Sequence, residues 1–140
     1  MFDRPIKSIM ERERFLTAPP QTTVSEAARL MATRNAGAVL VVEGESLVGI
    51  FTERDVVFRV IAKDLNPAST RLESVMTTSP LTLAPNRSYG HALLLMQENG
   101  FRHVPVVDNG RPIGIVSSRN AMDPELEDFV SEQRRREQYR

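Results

Sequence analysis

The chain has 140 residues, 18 Lys+Arg against 18 Asp+Glu, no Cys and two His. Such a length makes one domain or two small halves sharing a core, and zero formal charge leaves no sequence-wide field to draw in nucleic acid or anionic lipid. Without Cys there is no disulfide, thiolate nucleophile or cysteine-based zinc site, and His91 and His103 alone supply little for histidine catalysis or a multi-histidine metal centre.

Taken in chain order, Met1 to Lys7 lacks the basic stretch, apolar run and cleavage site of a secretory signal, and no apolar run approaches the roughly 20 residues of a membrane span. A cytoplasmic protein starting at Met1, with no membrane partner, is expected, so Asn86-Arg87-Ser88 is a chance match to a glycosylation acceptor. After a Pro-containing turn, Ser25 to Met31 predicts a helix capped by Ser25, with Ala27, Leu30 and Met31 on one face. Ala38-Val39-Leu40-Val41-Val42 is unbroken and mostly β-branched, which predicts a strand buried on both faces. Glu43 to Ser46 turns the chain into a second strand, Leu47 to Phe51. Behind Asp55, Val56, Val57, Val60 and Ile61 recur at helical spacing, and Asn66-Pro67-Ala68-Ser69 marks a linker.

The pattern then repeats. An offset of 65 residues pairs Leu16 with Leu81, Pro20 with Pro85, Ala27 with Ala92, Met31 with Met96, Val39 with Val104, Gly49-Ile50 with Gly114-Ile115, and Arg54 with Arg119. Asp55 falls opposite Asn120, and Ile9-Met10 matches Val75-Met76 at an offset of 66. The second copy predicts a helix from His91 to Gln97 with Leu94, Leu95 and Met96 on its face, and a strand pair around Asp108-Asn109-Gly110 whose Pro105 belongs at an edge. Asp123-Pro124 opens a last helix with an apolar face at Leu126, Phe129 and Val130, its acids first and its arginines last. The organisation is repeat one over 5–63, a linker over 64–71, repeat two over 72–123 and a charged C-terminal helix or tail over 124–140. One unit of about 60 residues barely covers its own apolar surface, so two copies sharing a core is the economical arrangement.

Ser74-Val75-Met76, the Phe101-to-Asp108 strand, and the segments Gly-Ile-Phe-Thr-Glu-Arg-Asp (49–55) and Gly-Ile-Val-Ser-Ser-Arg-Asn (114–120) carry a resemblance. From about residue 5 to residue 123 the chain resembles a tandem pair of CBS domains, the Bateman module. The resemblance implies an α+β fold of two βαββα units packed through their sheets with pseudo-two-fold symmetry. It further implies ligand clefts between the units, a non-catalytic sensor of an adenosine-containing ligand such as AMP, ATP or NAD(H), no required cofactor, and a homodimer. In the main cleft it places Asp55 on the ribose, Thr52 beside ribose or phosphate and Arg54 on phosphate. Met76, Thr77, Thr78, Phe101, Arg102 and His103 would surround the purine. The residues alone leave Asp55 open to being a plain N-cap, Met76 to filling the core, and His103 to being a satisfied core or edge histidine. The second cleft would join Met10, Ala36, Gly37 and Ala38 to Ser117, Arg119 and Asn120. Asn120 keeps an acceptor oxygen but no charge, which implies weaker binding or none there.

Other classes fit less well. No nucleophile elbow, HExxH motif or Cys/His group supports an enzyme or a metal site, and Ile50-Phe51 occupies the Lys-Ser/Thr position of a phosphate loop beginning at Gly44. A ligand-independent dimerisation or scaffold module acting on an effector protein is the alternative. Arg134-Arg135-Arg136 reads as a solvated helix end rather than a nucleic-acid contact.

Overall fold

Leu16–Ala18 (β1), Val24–Arg34 (α1), Ala38–Glu43 (β2), Ser46–Thr52 (β3) and Glu53–Asp55 (α2) form a first βαββα unit, and α2 runs directly into a π-helical turn, Val56–Ile61. The computed structural model describes residues 2–10, 15–122, 129 and 132–137. A short helix, Leu72–Val75 (α3), and Thr77–Thr78 (β4) then lead to Tyr89–Asn99 (α4), His103–Asp108 (β5), Arg111–Ser117 (β6) and a 3-10 turn, Ser118–Met122. The expected cap at Asp123-Pro124 and the apolar positions Leu126 and Val130 lie outside the described residues.

The sheets repeat one another in detail. β1 runs parallel to β2, β2 antiparallel to β3 with a bulge at Val41/Val42, and β5 antiparallel to β6 with its bulge at Val106/Val107, 65 residues on. The Ala18–Val41 pairing of β1 and β2 reappears as a single parallel bridge, Leu83–Val106. Pro105 tolerates its place because N–H and C=O of one strand residue point to the same side. Its carbonyl accepts from Leu83 N–H at 3.1 Å, so the missing donor faces the Leu83 bridge and costs the β5–β6 ladder nothing.

Each repeat completes the other. Leu72 and Val75, from the start of repeat two, are buried in the core made by Leu16, Val24, Ala27, Met31, Val39, Val41, Phe51 and Val60 of repeat one. Ile6 and Met10 do the same for the core of repeat two, among Leu83, Tyr89, Ala92, Met96, Val104, Val106 and Val116. The backbone repeats this exchange: Leu72 N–H donates to Thr22 O at 2.9 Å and Ile6 N–H to Arg87 O at 2.8 Å. β4, also from repeat two, adds the fourth strand to the sheet of repeat one beside β3. Between the sheets, Ala38, Leu40, Ile50 and Ile115 form a third buried cluster. β2 is thus buried on both faces, as its unbroken apolar run requires.

Three local expectations are corrected. α1 begins at Val24, not after Ser25, with Thr23 as the N-cap accepting from Glu26 N–H at 3.2 Å. Linker carbonyls provide the reason: Thr70 O and Pro67 O accept from Val24 and Ser25 N–H, satisfying the first orphan donors of a helix that begins at Val24. α4 likewise starts earlier than His91, at Tyr89, where Arg4 O and Phe2 O play the linker's part and Ser88 is the cap. The second correction concerns the helix faces. α1 buries Val24, Ala27 and Met31 and α4 buries Tyr89, Ala92 and Met96, leaving Leu30 and Leu94 exposed. A buried row at i, i+3 and i+7 suffices against one sheet face, so the apolar i+6 position in α1 is surplus. Third, the turn Val56–Ile61 winds as a π-helix and buries only Val60 fully, so Val57 and Ile61 face outward rather than joining an apolar stripe.

Candidate functional site

The end of β3 positions the first group of site residues. Thr52 has extended backbone and caps α2: its hydroxyl accepts from Asp55 N–H at 3.3 Å, while Asp55 Oδ2 accepts from Thr52 N–H at 2.8 Å and from its hydroxyl at 3.2 Å. Asp55 is therefore not a plain N-cap but the third residue of a capping box whose N-cap is Thr52, a role that engages one carboxylate oxygen. Oδ1 faces Arg59 Nε at 3.4 Å, one helical turn on, and Arg59 Nη1 donates to Val75 O at 3.2 Å. A carboxylate offers about four acceptor positions, so Oδ1 retains capacity beyond this pair. Asp55 is buried, and its charge is held by one guanidinium, two donors from Thr52 and the start of a helix.

The chain brings repeat two against this corner. A cleft of about 850 Å³ is lined by Thr52, Glu53, Arg54, Asp55, Val57, Phe58 and Arg59 from repeat one, and by Thr77, Ser79, Pro80, Leu81, Asn99, Gly100, Phe101, Arg102, His103 and Pro105 from repeat two. Seven of the expected residues thus share one cavity: Thr52, Arg54, Asp55, Thr77, Phe101, Arg102 and His103. Met76 and Thr78 do not line it. Met76 packs on the core of repeat one with Sδ over Gly49, where any β-carbon would overlap it, and Thr78 pairs with Gly49 on the sheet edge. Period-two alternation explains this, since within β4 only Thr77 turns toward the cleft. Sequence reasoning missed Arg59, Phe58 and the Ser79-Pro80-Leu81 bend. Arg59 was readable as the i+4 partner of Asp55, whereas the bend depends on Ser79 taking φ 49°, a choice its residue type does not announce. The guanidinium of Arg54 lies over the Phe58 ring, 4.6 Å from its centre, which fixes a cation at the cleft wall.

The second corner repeats the cap with a different residue. Asn120 Oδ1 accepts from Ser117 N–H at 2.8 Å and from its hydroxyl at 3.2 Å, matching Asp55 and Thr52 atom for atom, and Asn120 is buried. A smaller cleft of about 290 Å³ is lined by Ala28, Met31, Ala32, Asn35, Ala36, Gly37, Glu53, Val56 and Arg119. Of the residues expected there, it contains Ala36, Gly37 and Arg119. Met10 lies instead in the core of repeat two, Ala38 between the sheets, and Ser117 and Asn120 in the cap. Asn at this position keeps the two bonds from Ser117 but carries no charge and presents an NH2 donor where Asp has a second acceptor oxygen.

His103 is half-buried and lies between the clefts. Burial pushes its imidazole below the ordinary value of 6.5; the Glu53 carboxylate opposes this, while Arg119 and Arg102 add to it. A folded pKa below the unfolded one means that the unfolded chain binds the extra proton first. The stability contributed by neutral His103 is therefore complete above about pH 6.5 and is lost as pH falls below it. The native chain is expected to lose more urea stability than His103→Gln between about pH 7.5 and about pH 5.5; equal losses would contradict this.

Among the described residues no group of three or more His, Cys, Asp or Glu is placed to hold a metal, and no helix is long and apolar enough to cross a membrane. Fold and site together define a pseudo-symmetric two-repeat protein with a cleft where the repeats meet. The CBS-domain profile matches residues 6–62 and 72–124, and the chain belongs to the CBS-domain family as a tandem pair. It is 43% identical over 100 residues to the meiotically up-regulated gene 70 protein of Schizosaccharomyces pombe, covering 71% of this chain and only 14% of that protein's length. The crystal structure of an uncharacterized conserved protein from Pyrococcus horikoshii superposes with a TM-score of 0.82 at 29% identity, covering 89% of this chain and 94% of the other. The CBS domain pair of protein MJ0100, solved in complex with 5′-methylthioadenosine and S-adenosyl-L-methionine, superposes with a TM-score of 0.77 at 27% identity over 84% of this chain and 96% of that one.

Proposed function

We propose that the chain is a non-catalytic regulatory module that senses an adenosine-containing ligand in the large cleft. The observation that carries this reading is that Asp55 of repeat one and Phe101-Arg102-His103 of repeat two line one cavity of about 850 Å³, within the range of small-molecule sites. Asp55 Oδ1 accepts from the ribose hydroxyls, since a carboxylate takes two adjacent donors at once. Thr77, Phe101 and the backbone beside Arg102 and His103 hold the purine. Arg54, braced on Phe58, and Arg102 favour a ligand that carries phosphate. The adenosine compounds bound by the MJ0100 pair support the ligand class. Their sulfonium or thioether ends carry no phosphate, so the arginines argue for a different member of that class here.

Thermal unfolding against AMP, ADP, ATP, NAD(H) and S-adenosylmethionine tests the reading. A ligand at 100 times its dissociation constant adds about 2.7 kcal/mol of stability. At least one phosphate-bearing compound is expected to do so, and more than S-adenosylmethionine; no shift with any compound would overturn the proposal. The scaffold alternative has an observation of its own, since Leu30, Ile61 and Leu94 leave apolar surface exposed on the helices. It predicts a homodimer or effector contact whose strength is indifferent to every compound in that panel.

A further inference from the structure

The two clefts are not separate cavities. Glu53 lines both, and Gly37 of the smaller cleft is in contact with His103 of the larger. A β-carbon built on Gly37 would stand 3.1 Å from His103 Nε2, 3.2 Å from its Cε1 and 3.2 Å from Glu53 Oε1. The backbone reinforces the junction, with Glu53 N–H donating to Gly37 O at 3.0 Å. With any residue larger than glycine at position 37, the imidazole or the carboxylate would have to give way by a few tenths of an ångström. Its role is close approach rather than backbone freedom, because Gly37 is not among the residues with positive φ.

Resting on the adenosine reading of the large cleft, we propose that His103, set beside Gly37 and Glu53, couples the two clefts, so that whatever moves the imidazole away from Gly37 resets the affinity of the larger. An anion in the large cleft pulls the imidazole towards it and away from Gly37, and a group pressing in at Gly37 pushes it the same way. Charged groups face the ring from every packed side: Glu53 at the start of α2, Arg102 before β5, and Arg119 in the turn after β6. Protonation and a phosphate in the large cleft therefore favour one another, because the phosphate adds negative charge that opposes the effect of burial on the imidazole. Coupling of this kind is reciprocal, so the smaller cleft reports on the larger as strongly as the reverse.

The test is a double-mutant cycle on AMP affinity, measured by calorimetry. Gly37→Ala places a methyl group in the smaller cleft and touches nothing that contacts AMP except through His103 and Glu53. It is expected to change the dissociation constant by about fivefold in the native background and by less than about twofold in a His103→Ala background, where the methyl has room. An equal change in both backgrounds, or none in either, overturns the proposal. Should Gly37→Ala fail to fold, the Gly37 amide resonance serves instead. It is expected to move when AMP is added to the native chain and to stay fixed in His103→Ala; a shift in both or in neither overturns the coupling. If no adenosine compound binds, the functional reading fails separately, and the imidazole titration of His103 in ligand-free protein decides the coupling. Gly37→Ala should move that titration, and an unmoved His103 refutes the coupling.

Discussion

Replacing Asp55 by Ala is expected to weaken binding of an adenosine nucleotide by more than about 100-fold, because each hydrogen bond to a charged group is worth about 1.5–3 kcal/mol and two ribose hydroxyls lose their shared acceptor. The same change removes the carboxylate half of the α2 capping box and should cost about 0.5–2 kcal/mol of folding stability, so a loss of binding alone is ambiguous. Asp55→Asn separates the two effects. The protein already holds an asparagine in this geometry, where Asn120 Oδ1 accepts from Ser117 N–H at 2.8 Å. Asp55→Asn should therefore keep the cap and most of the stability while losing the charge, the Arg59 pair and most of the affinity. Asn120→Ala should lose cap stability of similar size and leave binding nearly unchanged. Calorimetry and urea melts on the three variants check this, and binding lost with Asn120→Ala but kept with Asp55→Ala would reverse the assignment of the clefts.

The second large effect is on stability. Leu72 is fully buried, yet it fills the core of the repeat to which it does not belong. Leu72→Ala should cost about 2–5 kcal/mol, the range for a large core side chain cut back to a methyl group. The damage should appear across the repeat boundary, with amide exchange rising in Val39 and Val41 of β2 before Val104 and Val106 of β5. Ile6→Ala should produce the mirror pattern, since Ile6 fills the core of repeat two. A loss below about 1 kcal/mol, or exchange rising equally in both sheets, would mean that the repeats do not depend on each other in this way.

The offset of 65 residues carried most of the fold, because repeated apolar positions specify repeated strands, bulges and caps. What it did not carry was set by partners distant in sequence. Ser25 has the residue type of a cap, but the linker carbonyls of Pro67 and Thr70 hold Ser25 and Val24 N–H inside a helix capped by Thr23. Leu30 and Leu94 are apolar in pattern but exposed, whereas Leu95 does pack against the core of repeat two. The site divided along the same line. The Thr52-to-Asp55 turn is readable from local spacing, whereas the ligand role of Asp55 is what the family resemblance implies, and its free capacity at Oδ1 is compatible with it. Met76 was placed in the cleft by analogy of position, whereas the absence of a side chain at Gly49 draws its thioether into the core of repeat one. The contact of His103 with Gly37 joins residues from different repeats through a loop, and no periodicity encodes that.

The most direct measurement of the central claim is a structure of the chain with AMP bound. The predicted result has the ribose hydroxyls on Asp55 Oδ1, the base between Thr77 and Phe101, and the phosphate turned toward Arg54 or Arg102. AMP bound beside Ser117 and Asn120 with the large cleft unaltered, or on an outer surface of the helices, would contradict it.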